Sequence, residues 1–341
     1  MTREFKKIDE SLFTTAPCIT RYPDTILSYR DVPYRSALTF NAGVLKKDGK
    51  YIMIFRNDLG DYETQHLDRN EHGCTITNLG LAFSDDGIKW KVEPEPCFDL
   101  HGEEINRVYD PRITYIDGEY CICFAVDTLH GVCGGMAVTK DLKHFEVKSI
   151  SVPENRNMVL FPEKINGNYV RLERPMPVYS RDGDVFDIWL SESPDLVYWG
   201  KSRLVLATED VPYCNDKIGP GAPPIKTDKG WLTIFHSVDV DPERGKNGWE
   251  KAWKKRYVIG IALLDLKDPS KVIGMSKRPI IVPEGYYETV EGFRTNALFP
   301  CGMLLEEDNT VRIYYSAGDA IVRMATAKLD DLLALCTEPR K

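Results

Sequence analysis

The chain has 341 residues, 43% of them hydrophobic, enough for a large core and too many for global disorder. Its formal net charge is −8 and it carries no basic arm, which argues against nucleic acid as the main partner. Any anion site must therefore be a local cluster of cations. No apolar run approaches the ~18 residues needed to span a bilayer, and the charged opening MTREFKKIDE leads into no apolar core, so neither a membrane segment nor a signal peptide is expected. The nine cysteines are scattered, odd in number and without a CxxC pair. They read as reduced, structural thiols in a cytoplasmic protein, and no paired spacing supports zinc.

In chain order, one two-strand unit recurs five times. The copies are NAGVLKKDGKYIMIFR (Asn41 to Arg56), DPRITYIDGEYCICFA (Asp110 to Ala125), FPEKINGNYVRLER (Phe161 to Arg174), GAPPIKTDKGWLTIFHS (Gly221 to Ser237) and FPCGMLLEEDNTVRIYYS (Phe299 to Ser316). Asp48-Gly49, Asp117-Gly118, Asn166-Gly167 and Lys229-Gly230 stand where a tight hairpin needs positive φ. The flanks are β-branched and aromatic, as half-buried strands require. After each hairpin comes a strand of small and apolar residues and then an acidic turn: LAFSDDGIKW, MAVTKDLKHF, IWLSESPDLVYW, IGIALLDLKDP and VRMATAKLDDL.

Hairpin plus hairpin makes a four-stranded antiparallel sheet. Five such sheets predict an all-β chain, a single five-bladed β-propeller over residues 1–341 with a central channel. A β-sandwich, the alternative, would not repeat the same unit five times. The polar stretch Val238 to Tyr257, with three aromatics, predicts a short helix or a loop beside the site, the alternative being a solvated loop.

Propellers bind ligands where inner strands open into the channel, so polar residues at strand ends are the candidates. Asn41 opens the first copy and Arg56 closes it. Asp110 opens the second, with Arg112 two residues on. Arg156 precedes the third, and Arg171, Glu173 and Arg174 close it. Lys217 precedes the fourth and His236 ends it, while Asp319 follows the fifth. Arg offers phosphate a bidentate fork, Lys a point charge and His a further donor. A carboxylic acid could protonate a leaving oxygen. Inverting hydrolysis needs two carboxyl groups, whereas phosphate is already an anionic nucleophile and needs only the acid.

The segments VYDPRIT, CFAVDTLHGVCGG, NRNMVLFPEKINGNYVRLERPMPVYS (Asn155 to Ser180), DVPYCNDKIGPGAPP, GWLTIFHSV and YYSAGD occur in the order found in the mannoside phosphorylases of glycoside hydrolase family 130. The chain resembles that family from about Asn41 to Asp331. NRNMVLFPEK and YCNDKIGPGAPP look most like the subgroup acting on β-1,4-mannooligosaccharides. The resemblance implies a five-bladed propeller and inverting phosphorolysis that releases α-mannose 1-phosphate. It places the general acid on Asp110, acting through a sugar hydroxyl that relays the proton. Phosphate-binding cations fall on Arg156, Arg174, Lys217 and His236, with Arg171 as a further possibility. Mannose-binding positions fall on Asn41, Arg56 and Asp319. Some relatives have Ser where this chain has Ala42, which implies one sugar hydrogen bond fewer. The implied partners are a β-mannoside oligosaccharide and inorganic phosphate as co-substrate, with no metal or organic cofactor, in a homo-oligomer. The acceptor stays open among mannose, glucose, mannan oligomers and N-acetylglucosamine. The alternatives are a β-mannosidase using water, which should carry a second carboxylate, and a non-catalytic carbohydrate-binding propeller.

Overall fold

A computed structural model describes residues 5–176, 186–245, 248–250 and 252–336. Five antiparallel sheets follow one another along the chain. The first blade is Leu38–Lys47, Lys50–Asp58, Thr77–Ser84 and Lys91–Val92. The second is Ile105–Ile116, Glu119–Thr128, Gly131–Thr139 and Glu146–Ile150. The third is Asn155–Leu160, Tyr169–Pro175, Ile188–Ser193 and Gly200–Leu206. In the fourth, an inner strand broken into Lys217–Pro220 and Ile225–Lys226 is followed by Trp231–Val240, Lys255–Leu264 and Val272–Met275. The fifth is Leu298–Leu305, Thr310–Ala317 and Ile321–Lys328. The five repeated hairpins are thus the five blades of an all-β propeller. Among the described residues, no helix is long and apolar enough to cross a membrane.

The fourth strand of the fifth blade comes from the other end of the chain. Thr20–Arg21 pairs with Ile321–Lys328, Thr20 opposite Thr326 and Arg21 opposite Ala325. Arg21 also reaches both carboxylate oxygens of buried Glu288, at 2.7 and 2.8 Å. The last repeat, read as strand and acidic turn, instead runs from its strand into a helix, Leu329–Cys336.

Strand periodicity places the core. Ile52 and Ile54 pack with Ile122 and Phe124 between the first and second blades. Met53 and Phe55, one residue out of phase, pack with Tyr314 and Met324 between the first and fifth. Successive side chains point to opposite faces, so each strand serves both neighbouring blades. Similar clusters fill the other gaps.

Three of the four predicted turns have the expected backbone, with φ of 50° and 77° at Asp48-Gly49, 52° and 84° at Asp117-Gly118, and 52° and 83° at Asn166-Gly167. The fourth differs. Lys229 is not left-handed, and the Thr227 hydroxyl closes the turn instead, donating to the Gly230 carbonyl at 2.7 Å. The third copy also begins earlier than the repeat suggests. Its inner strand is Asn155–Leu160, so Phe161 follows that strand rather than opening it. Pro177 to Ser180, the end of one motif, and Lys246, Asn247 and Lys251 lie outside the described residues.

Every inner strand is interrupted at its middle. The register shifts between Phe40 and Gly43, Tyr109 and Arg112, Arg156 and Val159, and Pro300 and Gly302, and the fourth strand breaks after Pro220. In three blades the first extra residue is left-handed: Asn41 at φ 48°, Asp110 at 54° and Asn157 at 57°. Asn and Asp tolerate this region far better than other side chains. Such bulges re-aim a side chain. Here they turn one polar residue per strand toward the channel.

Candidate active site

Asn41, Arg56, Asp110, Arg156, Arg174 and Asp319 line one cavity, together with Asn157, Tyr257, Arg294, Ala297 and Phe299. Six of the eight residues expected from the sequence therefore share one wall. The other two lie directly behind it. His236 Nε2 is 3.1 Å from Arg174 Nη1, and Lys217 Nζ is 5.6 Å from the centre of the Tyr257 ring.

Asp110 is fixed at one oxygen only. Asn41 Nδ2 donates to its Oδ1 at 2.7 Å and Arg56 Nη1 to the same atom at 3.2 Å. Arg56 is itself clamped by Asp58, at 2.6 and 2.9 Å, and lies over Phe40 and Tyr109. Asn41 and Asp110 can meet because the first and second inner strands nearly touch. A Cβ on Gly43 would stand 2.9 Å from the backbone of Pro111 and Arg112. Burial pushes the Asp110 carboxyl up, but Arg56, Arg112 and the Asn41 hydrogen bond outweigh it and hold the group below the usual carboxylate range. Asp319 goes the other way. Burial raises it, with Arg294 and Arg56 only partly offsetting this.

The basic residues are crowded rather than paired. Burial and Arg156 bring Arg174 down to about 9. Burial, Arg174 and Lys255 hold Lys217 well below an ordinary lysine. Burial, Arg174 and Lys217 do the same to His236. That direction favours the neutral His236 ring in the empty site, where it can serve the anion as a hydrogen-bond donor. Among the described residues, Arg156 Nε, Arg174 Nε and Nη2, and His236 Nδ1 are buried with no hydrogen-bond partner. Buried polar groups are rarely left so. Four such N–H atoms converging from two blades are what an anion would satisfy.

Arg171 belongs elsewhere. Its guanidinium pairs with Glu173 at 2.8 Å and lies 3.9 Å from the Trp199 ring centre. It stands three residues from Arg174 on one strand, so the two side chains face opposite ways. Ala42 is buried among Val44, Met53 and Phe55 rather than in the cavity wall. A hydroxyl there would face the core, so the expected loss of a sugar contact does not follow.

Three residues of the site were not foreseen. Asn157 occupies the same bulge position as Asn41 and Asp110. Arg294 donates to Asp319 at 3.3 Å and pairs with Glu250. It precedes the fifth inner strand in FRTNALFP, much as Arg156 precedes Phe161 in NRNMVLFP, so the repeat phase could have found it. Tyr257 lies in the stretch read as helix or loop. That stretch is a loop beside the site: its ends extend two strands, and the described residues between them are irregular and place Trp249 and Trp253 next to the cavity. Arg112, noted from the sequence, is a tether. It donates across the channel to the Gly221 carbonyl and back to Pro111. Among the described residues, no group of three or more His, Cys, Asp or Glu is placed to hold a metal ion.

The family model of glycoside hydrolase family 130, described as beta-1,4-mannooligosaccharide phosphorylase, matches residues 13–338. A 1,2-beta-oligomannan phosphorylase of Thermoanaerobacter sp. (strain X514) is 33% identical over 307 residues, 88% of this chain and 93% of that one. A beta-1,4-mannooligosaccharide phosphorylase of Ruminococcus albus is 32% identical over 328 residues, 92% of this chain and 90% of that one. Among solved structures, the beta-1,2-mannobiose phosphorylase of Listeria innocua in complex with beta-1,2-mannobiose superposes with a TM-score of 0.78 at 27% identity, covering 93% of this chain and 99% of that one.

Proposed function

The chain belongs to glycoside hydrolase family 130 as a mannoside phosphorylase, and from that premise we propose that it cleaves the non-reducing end of a β-mannoside by inverting phosphorolysis, releasing α-mannose 1-phosphate. The observation that carries this reading is the set of unpartnered, buried N–H groups on Arg156 and Arg174, which line the same cavity as Asp110, and on His236 beside Arg174. A water-using enzyme has no need of an anion site there.

In this reading phosphate sits among Arg156, Arg174, Lys217 and His236 and attacks the anomeric carbon. The bond to the departing sugar breaks on the opposite face. Asn41, Arg56 and Asp319 hold the mannosyl unit. Asp110 supplies the proton, and its geometry suits the relay through a sugar hydroxyl. Both of its hydrogen bonds use Oδ1, which leaves Oδ2 outside them. A carboxyl held low by cations is ionised in the empty site and has no proton to give. Phosphate answers that, because its negative charge offsets Arg156, which also acts on Asp110. No metal or organic cofactor takes part in the proposed reaction.

The linkage proposed is β-1,4, on the NRNMVLFPEK and YCNDKIGPGAPP motifs, although relatives named for β-1,2 and β-1,4 linkages stand at nearly equal identity. One experiment tests both parts. The protein is incubated with β-1,4-mannobiose and with β-1,2-mannobiose, each with and without phosphate. Mannose 1-phosphate from the β-1,4 disaccharide, only with phosphate, is the expected result. Free mannose at equal rates without phosphate overturns phosphorolysis. Product from the β-1,2 disaccharide alone overturns the linkage.

A further inference from the structure

Two runs of aromatic rings, joined by the Arg294 guanidinium, lead away from the cavity. Tyr257, in the cavity wall, stacks on Trp253 with centroids 5.5 Å apart and planes 16° apart. The Arg294 guanidinium, in the same wall, lies 4.7 Å from the Trp253 ring centre and 5.1 Å from that of Phe293. Phe293 meets Trp249 edge-on at 6.0 Å, and Trp249 meets Tyr62 at 5.1 Å. Tyr62 stacks on Tyr29 at 4.5 Å and 12°.

These rings come from four separate connections. Tyr62 lies between the second and third strands of the first blade, and Trp249 and Trp253 lie in the same connection of the fourth. Tyr29 and Phe293 lie in the segments leading into the first and fifth blades. All four connections are at the channel end that carries Arg56, Arg156, Lys217 and His236. Tyr62, Trp249 and Phe293 pack against the core, and all six rings remain partly exposed. Carboxylates hold their polar edges: Glu63 accepts from Tyr29 at 2.5 Å and Glu291 from Tyr62 at 2.6 Å. Trp253 Nε1 is buried without a partner among the described residues, a donor left over beside the cavity.

We propose that this track binds the acceptor side of the substrate beyond the first departing sugar, and so sets the preferred chain length. The inference rests on the phosphorolysis reading above. A pyranose ring offers an apolar C–H face and an edge of hydroxyls. A row of partly exposed aromatic rings with carboxylates and an indole N–H along it matches both. Continuity with the cavity wall, through Tyr257 and Arg294, fixes the occupant as the same chain whose end lies in the cavity.

The test uses Tyr62→Ala and Trp249→Phe, the second chosen to keep the packing of the loop. At saturating phosphate, kcat/KM is measured for the di-, tri- and tetrasaccharide of the linkage that the wild type accepts. The ratio of tetrasaccharide to disaccharide should exceed one in the wild type and fall by about 2- to 12-fold in the variants, the range for losing an aromatic contact. An unchanged ratio in both variants overturns the track while leaving phosphorolysis intact. If the wild type cleaves no mannoside with phosphate, the underlying reading fails first. Tryptophan fluorescence titration with mannotetraose then decides the track: binding that Trp249→Phe and Tyr62→Ala weaken supports it, and equal binding overturns it.

Discussion

Arg174 Nη1 lies 3.1 Å from His236 Nε2, a hydrogen-bond distance at which one donates and the other accepts. A guanidinium has no acceptor, so Nε2 carries the lone pair and the ring proton sits on Nδ1. His236 Nδ1 is the buried atom left without a partner. Arg174 thus fixes the tautomer that gives the anion site a neutral N–H donor in addition to its cations. Gly219 makes the arrangement possible, because a Cβ there would stand 2.4 Å from His236 Cε1 and 3.2 Å from Arg174 Cδ.

Gly219→Ala should therefore damage phosphate use before it damages the fold. The ring of His236 cannot stay where it is, and its bond to Arg174 is lost with it. The expected result is a folded protein whose kcat/KM for phosphate is lower by about 10- to 150-fold, the equivalent of one charge-assisted hydrogen bond at roughly 1.5–3 kcal/mol. Lys217→Ala and His236→Ala should fall in the same range. Initial rates against phosphate at saturating mannoside check it. Unchanged phosphate kinetics in all three variants would show that the anion binds elsewhere.

Phosphate binding should take up protons at alkaline pH. Lys217, held well below an ordinary lysine by burial, Arg174 and Lys255, is partly uncharged there in the empty site. A dianion stabilises its charged form and raises it. Calorimetry at about pH 8.5, where phosphate is already a dianion, in two buffers of different ionisation enthalpy gives the proton count, with a value above zero expected. The same cluster sets the slope of stability in phosphate-free buffer. The folded pKa of His236 lies well below its ordinary 6.5, so the unfolded chain binds the extra proton as pH falls. Its contribution is full above about 6.5 and is lost below. Phosphate should shrink that loss, read as a Tm shift that grows as pH drops from about 7 toward 5.5.

Arg171 and Arg174 should separate stability from function. Breaking the buried Arg171–Glu173 pair leaves an uncompensated carboxylate, at a cost of about 3–5 kcal/mol. Arg171→Met should lower Tm and leave the phosphate KM of the folded protein unchanged. Arg174→Met removes a crowded cation with two idle N–H groups. It should raise the phosphate KM with little loss of Tm. The reverse pattern would exchange the two assignments.

The hairpins were legible because period-two strands and Asp-Gly or Asn-Gly turns are local signals. Thr20–Arg21 was not: two residues carry no period, and their partner strand is 300 residues away. The bulges were illegible for a related reason. Phe161 as the opening of the third copy is four residues late, which hides Asn157 although the same phase shows Asn41 and Asp110. The neutral state of His236 could not be read at all, since Arg174 and Lys217 reach it from two different strands of the fold. Arg171 against Arg174 needed only strand alternation, once the strand was known.

Asp110→Asn tests the acid itself. The amide keeps the size of the carboxyl and its carbonyl can still accept from Asn41, while Arg56 retains its clamp on Asp58. Folding and ligand binding should survive. What is lost is an acidic proton. Turnover of mannobiose should fall by about 10²–10⁴, the usual range for a general acid. A β-mannoside with a nitrophenyl leaving group needs little proton help, and its turnover should fall much less. If both substrates fall by the same factor while binding persists, Asp110 positions the sugar and the acid is another residue. The surroundings of the other carboxylates then narrow the choice. Glu173 is paired with Arg171 and Asn155, and Asp216 with Lys255. Asp319 lies in the cavity wall with its carboxyl pushed up by burial. Asp319→Asn, assayed on the same two substrates, would then show the contrast that Asp110→Asn lacked.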